Sequence, residues 1–261
     1  MKKMLLASSI ALCLCSTVQA DTLAGIYIGG QIWDNEVTGI MGESGHQIDF
    51  NLADEQQGSF YIALEHPIPF LPNAKIASTS LDTQGVSTLD QEIEFGDEIF
   101  NVGTEINTGF DVSYVDYTLY YEFFDNGLFS FDLGITARDF DGDVKVSSQV
   151  NTALPGDTPV YDTTTGNIST DEIIPMLYAS TIIGLPFTGL SLFAEGNFLS
   201  MDDHTLYDYQ AGLSYELIDN IMVDVNLTLG YRAIKLELED LNNLYSDLEF
   251  QGVFAGTVIH F

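Results

Sequence analysis

Basic residues are the scarcest class in this chain. Lys and Arg number 7 against 39 Asp and Glu in 261 residues, a formal net charge of −32. That balance excludes a nucleic-acid partner, because phosphate binding depends on Lys and Arg that displace counterions. Cysteine is almost absent: the two present, Cys13 and Cys15, lie near the N-terminus, and both follow leucine rather than the small residue that precedes an acylated lipoprotein cysteine. A disulfide framework and a lipid anchor are both excluded. Beyond residue 20 no apolar run is long enough to cross a bilayer as a helix. Disorder is excluded in turn, because 46% hydrophobic and 12% aromatic residues exceed what a solvated acidic tail carries.

What is present begins with an export signal. Lys2 and Lys3 precede an apolar run from Met4 to Cys15, and Val18-Gln19-Ala20 supplies a small-residue cleavage site. Residues 1–20 are therefore read as a cleaved signal peptide and 21–261 as a single domain. Loss of Lys2 and Lys3 takes the charge from −32 to −34 and leaves five cations, Lys75, Arg138, Lys145, Arg232 and Lys235. An exported chain without disulfides obtains its stability from a sizeable core or from an apolar solvent.

Period-two alternation runs through the rest, the mark of strands with two unlike faces. From Ile221 to Arg232, Val223, Val225, Leu227, Leu229 and Tyr231 alternate with Met222, Asp224, Asn226, Thr228, Gly230 and Arg232. From Leu128 to Phe140, Phe129, Phe131, Leu133, Ile135 and Ala137 oppose Ser130, Asp132, Gly134, Thr136 and Arg138. Similar stretches cover 109–123, 190–200, 205–216 and 248–261, with weaker ones at 23–33, 56–65, 74–82 and 173–184. Tight Pro-, Gly- and Asn-rich turns at 66–73, 125–127, 185–189 and 218–220 alternate with polar segments at 34–55, 83–108, 141–172 and 239–247. A soluble sandwich has no reason to sort long and short loops onto opposite ends. The pattern predicts an all-β, antiparallel transmembrane β-barrel of about ten strands, with 8 or 12 as alternatives, bearing short periplasmic turns and long acidic outer loops.

The final strand places Val253, Ala255, Thr257, Ile259 and Phe261 on one face and ends on the aromatic. It resembles the carboxyl-terminal signal of Gram-negative outer-membrane barrels, which the barrel assembly machinery reads. The opening Ala24-Gly25-Ile26-Tyr27-Ile28-Gly29-Gly30, the block Tyr117-Thr118-Leu119-Tyr120-Tyr121-Glu122, Asn226 to Arg232 and Gly252-Val253-Phe254-Ala255-Gly256 resemble a family of outer-membrane β-barrels from marine γ-proteobacteria. The resemblance implies fold and location: a Gram-negative outer membrane reached through a cleaved signal, with lipid, lipopolysaccharide, assembly machinery and periplasmic chaperones as partners. It supplies no activity and no catalytic residue.

With the aliphatic faces outward, Glu65, Asp116, Glu122, Asp132, Arg138, Glu195, Asp208, Glu216, Asp224 and Arg232 point into the lumen, eight acids against two bases. A ten-stranded barrel is only slightly wider than the eight-stranded size that side chains fill. One reading is a plug in which each arginine bridges carboxylates, with Tyr114 and Tyr120 filling space and the protein in a structural or surface-interaction role. The other is a narrow cation-preferring pore.

Outer-loop acids offer candidate ligands for Ca²⁺ or Mg²⁺: Asp90, Glu92 and Glu94, and Asp139, Asp141 and Asp143. The latter three have the spacing that opens a calcium-binding loop, but Val144 and Val150 stand where its glycine and bidentate acid belong. A solvated acidic face is the simpler reading, and no resident cofactor is expected. Asp202-Asp203-His204 is similar to the Asp-x-His pair of omptin proteases, but no opposing aspartate pair accompanies it beyond nearby Asp82 and Asp90. No enzyme is expected. Trp33, Tyr27, Tyr117, Tyr121, Tyr207, Tyr215 and Tyr231 are candidates for interfacial girdles. Near-helical spacing of Leu238, Leu241, Tyr245 and Leu248 predicts a short helix in the last outer loop. A monomer is expected.

Overall fold

The alternating segments close into one antiparallel barrel of ten strands. The structure is a computed structural model that describes residues 24–151, 153, 158, 160–201, 204–220, 222–241 and 244–261. The signal segment, Ile221 and the pair Asp202-Asp203 lie outside those residues. The barrel strands are β1 (Gly25–Gly42), β2 (Glu55–Glu65), β3 (Asn73–Thr88), β6 (Glu105–Asp125), β7 (Phe129–Asn151), β8 (Tyr161–Leu185), β9 (Leu190–Met201), β10 (His204–Ile218), β11 (Asp224–Leu241) and β12 (Leu244–His260). Each pairs with its neighbours in order, and β1 meets β12 from Tyr27↔His260 to Gly42↔Tyr245, which leaves no sheet edge. The tight turns and both ends of the described chain share one rim; the long connections share the other.

Between β3 and β6 the chain folds into a small hairpin, β4 (Ile93–Phe95) and β5 (Glu98–Phe100). Gly96 and Asp97 both take positive φ, 60° and 62°, as the two central positions of a type I′ turn require. Ile93, Phe95 and Phe100 turn their side chains into the barrel's long-loop mouth and are buried. Gly166 of β8 is what lets the hairpin dock, since a Cβ there would sit 1.9 Å from the Phe95 carbonyl oxygen.

Outward faces near the short-turn rim are apolar. Ile26, Ile28 and Ile32 on β1, Phe60, Ile62 and Leu64 on β2, Leu133 and Ile135 on β7, and Leu227 and Leu229 on β11 are all exposed. On β7 this belt runs from Phe129 to Ala137. At about 3.3 Å per residue and a tilt near 40° its height is about 20 Å, most of the ~25 Å lipid-facing band of membrane barrels. Above it the pattern inverts. Asp139, Asp141 and Asp143 now point outward, while Phe140, Val144 and Val146 are buried inside. The same exchange occurs on β6, where Tyr117 and Leu119 face out but Phe110 and Val112 face in, and on β11, where Leu229 faces out but Ile234 and Leu236 face in.

Several expectations are corrected here. The segments 83–108 and 141–172 are largely strand and 34–55 is strand in its first part: β1 continues to Gly42, β3 to Thr88, β7 to Asn151, and β8 starts at Tyr161. They read as loops because inversion of the apolar face interrupts the alternation. Asp139, Asp141 and Asp143 therefore stand on the outer face of a strand, not on a loop. In place of the helix near 238–248, β11 and β12 pair up to Leu241↔Leu244. Leu238 and Leu248 are both buried within the barrel, so their spacing reflects a hairpin crossing between strands. The aliphatic complement does not all face outward, because a core of Phe50, Leu81, Phe95, Ile106, Phe250 and their neighbours fills the upper barrel. Trp33 is no girdle residue, being 1% exposed inside it, and Tyr27 faces inward, stacked on His260 at 4.2 Å.

Candidate functional site

Below the apolar fill, inward positions carry charge, and the register brings opposite charges together. Arg138 on β7 and Asp116 on β6 are cross-strand partners. The guanidinium donates from Nε to Asp116 Oδ1 at 2.7 Å and from Nη2 to Oδ2 at 2.7 Å, a bidentate pair. Nη2 also reaches across the lumen to Asp208 Oδ2 on β10 at 2.8 Å. From β11, Arg232 donates through Nε to Asp208 Oδ1 at 2.9 Å and through Nη2 to Oδ2 at 2.8 Å. Arg232 continues to Ser59 Oγ on β2 and Thr79 Oγ1 on β3, at 3.1 and 3.2 Å. The Tyr114 hydroxyl donates to Asp208 at 2.7 Å, and the Arg138 guanidinium lies 3.8 Å from the Tyr114 ring centre. Asn197 of β9 completes the ring, donating to Asp116 at 3.3 Å and accepting from Thr136 at 2.6 Å. Strands on opposite walls are thus tied together through the barrel axis.

A second clamp lies nearer the short-turn rim. Lys75 on β3 donates to both carboxylate oxygens of Glu195 on β9 at 2.7 Å. Tyr178 and Gln210 donate to the same carboxylate, each at 3.1 Å. The Lys75 ammonium also lies 4.4 Å from the centre of the Tyr61 ring. Together the tiers hold Lys75, Arg138 and Arg232 against Asp116, Asp208 and Glu195. Buried charges are tolerable only when paired in this way.

Beside and below the clamps lies a cavity of about 330 Å³. Its lining extends from Asp116, Asp208 and Arg232 down to Ser191, Ser214 and Asn226, within a few residues of the short-turn ends of β9, β10 and β11. Toward the long-loop side the buried aromatic and aliphatic core stands over it.

Placement of the ten expected lumen residues is uneven. Asp116, Arg138, Glu195, Asp208 and Arg232 form the clamps. Glu65 accepts from the Tyr120 hydroxyl at 2.8 Å, and Asp224 lies 3.3 Å from His260 Nδ1. Asp132 stands opposite Glu122 in register. Glu122 and Glu216 are exposed near strand ends rather than enclosed, so of the eight acids six are enclosed, and Lys75 joins the two arginines as a third lumen cation. Lys75 is the member the sequence reading missed, along with Tyr178, Asn197 and Gln210. The available signal was Lys75's shared parity with Ala77 and Thr79, in a strand of weak alternation. Of the terminal-strand residues, Val253, Ala255, Thr257 and Ile259 lie on the outer face of β12, opposite in parity to buried Phe254.

Asp90, Glu92 and Glu94 are exposed at and beside β4, remote in sequence from Asp139, Asp141 and Asp143 on β7. Asp143 accepts from Asn167 at 2.9 Å and from Ser169 at 3.0 Å. Among the described residues no group of three or more His, Cys, Asp or Glu is placed to hold a metal ion. His204 Nδ1 accepts from the Glu239 backbone N–H at 3.3 Å. Asp82 is cross-strand to Asp111, on the outer face of the sheet.

No protein-family model and no curated protein matches the chain by sequence. Solved structures do resemble it. Neisserial surface protein A is 12% identical, with 90% of this chain and 97% of that chain covered and a TM-score of 0.33. A Pseudomonas aeruginosa FadL homologue is 8% identical, covering 91% and 89% at 0.34. The transport unit of the Escherichia coli autotransporter AIDA-I is also 8% identical, covering 97% and 96% at 0.34. At these values the likeness is one of barrel architecture and carries nothing about ligand or activity.

Proposed function

We propose that the chain is an integral barrel of a Gram-negative outer membrane, exported through its signal peptide, that anchors an acidic surface structure and does not conduct. The belt of exposed Ile, Leu and Phe supports the location, since a closed barrel with an aliphatic exterior and polar lower lumen is stable with lipid as its outer solvent. Membrane lipid and lipopolysaccharide are its immediate partners in this reading. The short-turn rim then faces the periplasm, and the acid-bearing upper wall projects outside.

The observation that carries the non-conducting role is the network joining Arg138, Asp116, Asp208 and Arg232 through the barrel axis. A hydrated ion passing this level must separate charge-assisted contacts of 2.7–2.9 Å, and then meets the buried aromatic and aliphatic core above it. Reconstitution into planar bilayers tests this. Wild-type protein is expected to give no current steps, and cation-selective steps that disappear on neutralising Asp116, Glu195 and Asp224 would replace the anchor with a pore.

A further inference from the structure

The clamps leave a cavity whose chemistry is selective. From it we infer that the lower lumen is a dead-end binding site for a small, uncharged, polyhydroxylated ligand of the saccharide class, entering from the short-turn rim. The inference rests on the closed lumen proposed above. Three features carry it.

First, the charged groups lining the cavity are already paired: Lys75 with Glu195, Arg232 with Asp208, and Asp116 with Arg138 behind it. At the depth of these pairs a charged ligand would find no free counter-charge, which is unfavourable. Second, between its apolar surfaces the wall carries hydroxyl and amide groups, among them Ser191, Ser214, Asn226 and Thr228. An apolar ligand would strip these of water and return no hydrogen bonds. Gln210 makes the demand specific: its Nε2 is committed to Glu195, while its buried Oε1 has no protein partner and accepts a ligand hydroxyl. Third, aromatic surfaces, Tyr178 and Phe193 among them, line the same space and suit the C–H face of a pyranose. The volume, about 330 Å³, lies at the small end of the ~300–1,000 Å³ typical of ligand sites. The core above the clamps gives such a ligand no exit on the far side, so the geometry is that of a receptacle.

The chain supplies its own reporter. Trp33 is its single tryptophan, and the ring lies 5.3 Å from the guanidinium of Arg232, which lines the cavity. Full-length mature protein folded in detergent is titrated with glucose and N-acetylglucosamine, and with glucuronate and glucosamine as charged counterparts. A saturable change in Trp33 emission is expected for the neutral sugars, at least tenfold stronger in apparent affinity than for either charged one. Gln210→Ala is expected to weaken binding about fivefold, the worth of one hydrogen bond. Ser214→Phe, which fills the entrance, is expected to abolish it. Ser191 faces Ser214 across the β9–β10 ladder, so Ser191→Leu provides a second block if the first variant fails to fold by heat-modifiable gel migration.

No response to either neutral sugar overturns the inference. So does an equal response to charged and neutral sugars, or a response that survives a folded blocking variant, since each describes a surface contact. The fluorescence readout does not depend on conduction, so a bilayer current would overturn the closed lumen while a silent Trp33 would overturn only the saccharide site.

Discussion

Replacing Arg138 with methionine isolates what the axial network contributes. Arg138 is fully buried, and it is the only cation in salt-bridge contact with Asp116 among the described residues. Asp208 keeps Arg232 after the change, but Asp116, itself 4% exposed, keeps only the Asn197 amide at 3.3 Å. A buried carboxylate stripped of its partner costs about 3–5 kcal/mol. Removing both members together, Arg138→Met with Asp116→Leu, exchanges an ion pair for apolar volume and is expected to cost less than either single change, because such swaps are often neutral. The coupling in that double-mutant cycle is therefore expected to exceed about 3 kcal/mol. Urea unfolding in lipid vesicles, followed by Trp33 emission and heat-modifiable migration, measures all four corners. A single-mutant cost below about 1 kcal/mol, or strict additivity, would show that the guanidinium is hydrated and the lumen is not dry at that level.

Other consequences are open to measurement. Leu229→Arg places a charge in the middle of the outward apolar belt and is expected to cost about 2–4 kcal/mol in lipid; an unchanged unfolding midpoint in vesicles would put the belt elsewhere. Gly166→Val drives a side chain into the Phe95 carbonyl, so the β4–β5 hairpin is expected to undock and become cleavable by chymotrypsin at Phe95 or Phe100 while the barrel stays heat-modifiable. Protection equal to wild type would mean the hairpin is not held there. Lys75→Met breaks the lower clamp and is expected to leave bilayers silent, because the arginine network and apolar core stand above it; new current steps would locate the seal at Lys75 instead.

Strand number and antiparallel closure were legible because belt residues alternate cleanly, as in Leu227, Leu229 and Tyr231 against Asn226, Thr228 and Gly230. What escaped was the upper barrel. Along β7 the apolar positions change from odd numbers, Phe129 to Ala137, to even ones, Phe140 to Val146, where lipid outside gives way to water. A period-two search sees a defect there and reports a loop, although the strand pairs with β6 without a bulge from Asp132 to Ser148. The clamp was half legible for a related reason. Arg138 and Arg232 announced themselves inside strong alternation, whereas Lys75 on β3 has mostly small and hydroxyl-bearing neighbours that give neither face a clear sign. No one-chain pattern shows that Asp116 and Asp208, 92 residues apart in the numbering, accept from one guanidinium nitrogen. Barrel closure alone brings them together.

Unequal strand lengths give the molecule a front and a back. β7 and β8 carry 23 and 25 residues, whereas β9 and β10 carry 12 and 15. From Asp139 onward β7 rises about 30 Å above the belt at ~3.3 Å per residue and a tilt near 40°, while β9 stops within about 10 Å of it. A macromolecule approaching from outside therefore touches a steep parapet on one side well before it can reach the low wall on the other. Encounters with neighbouring molecules are directional, even though the barrel beneath is round.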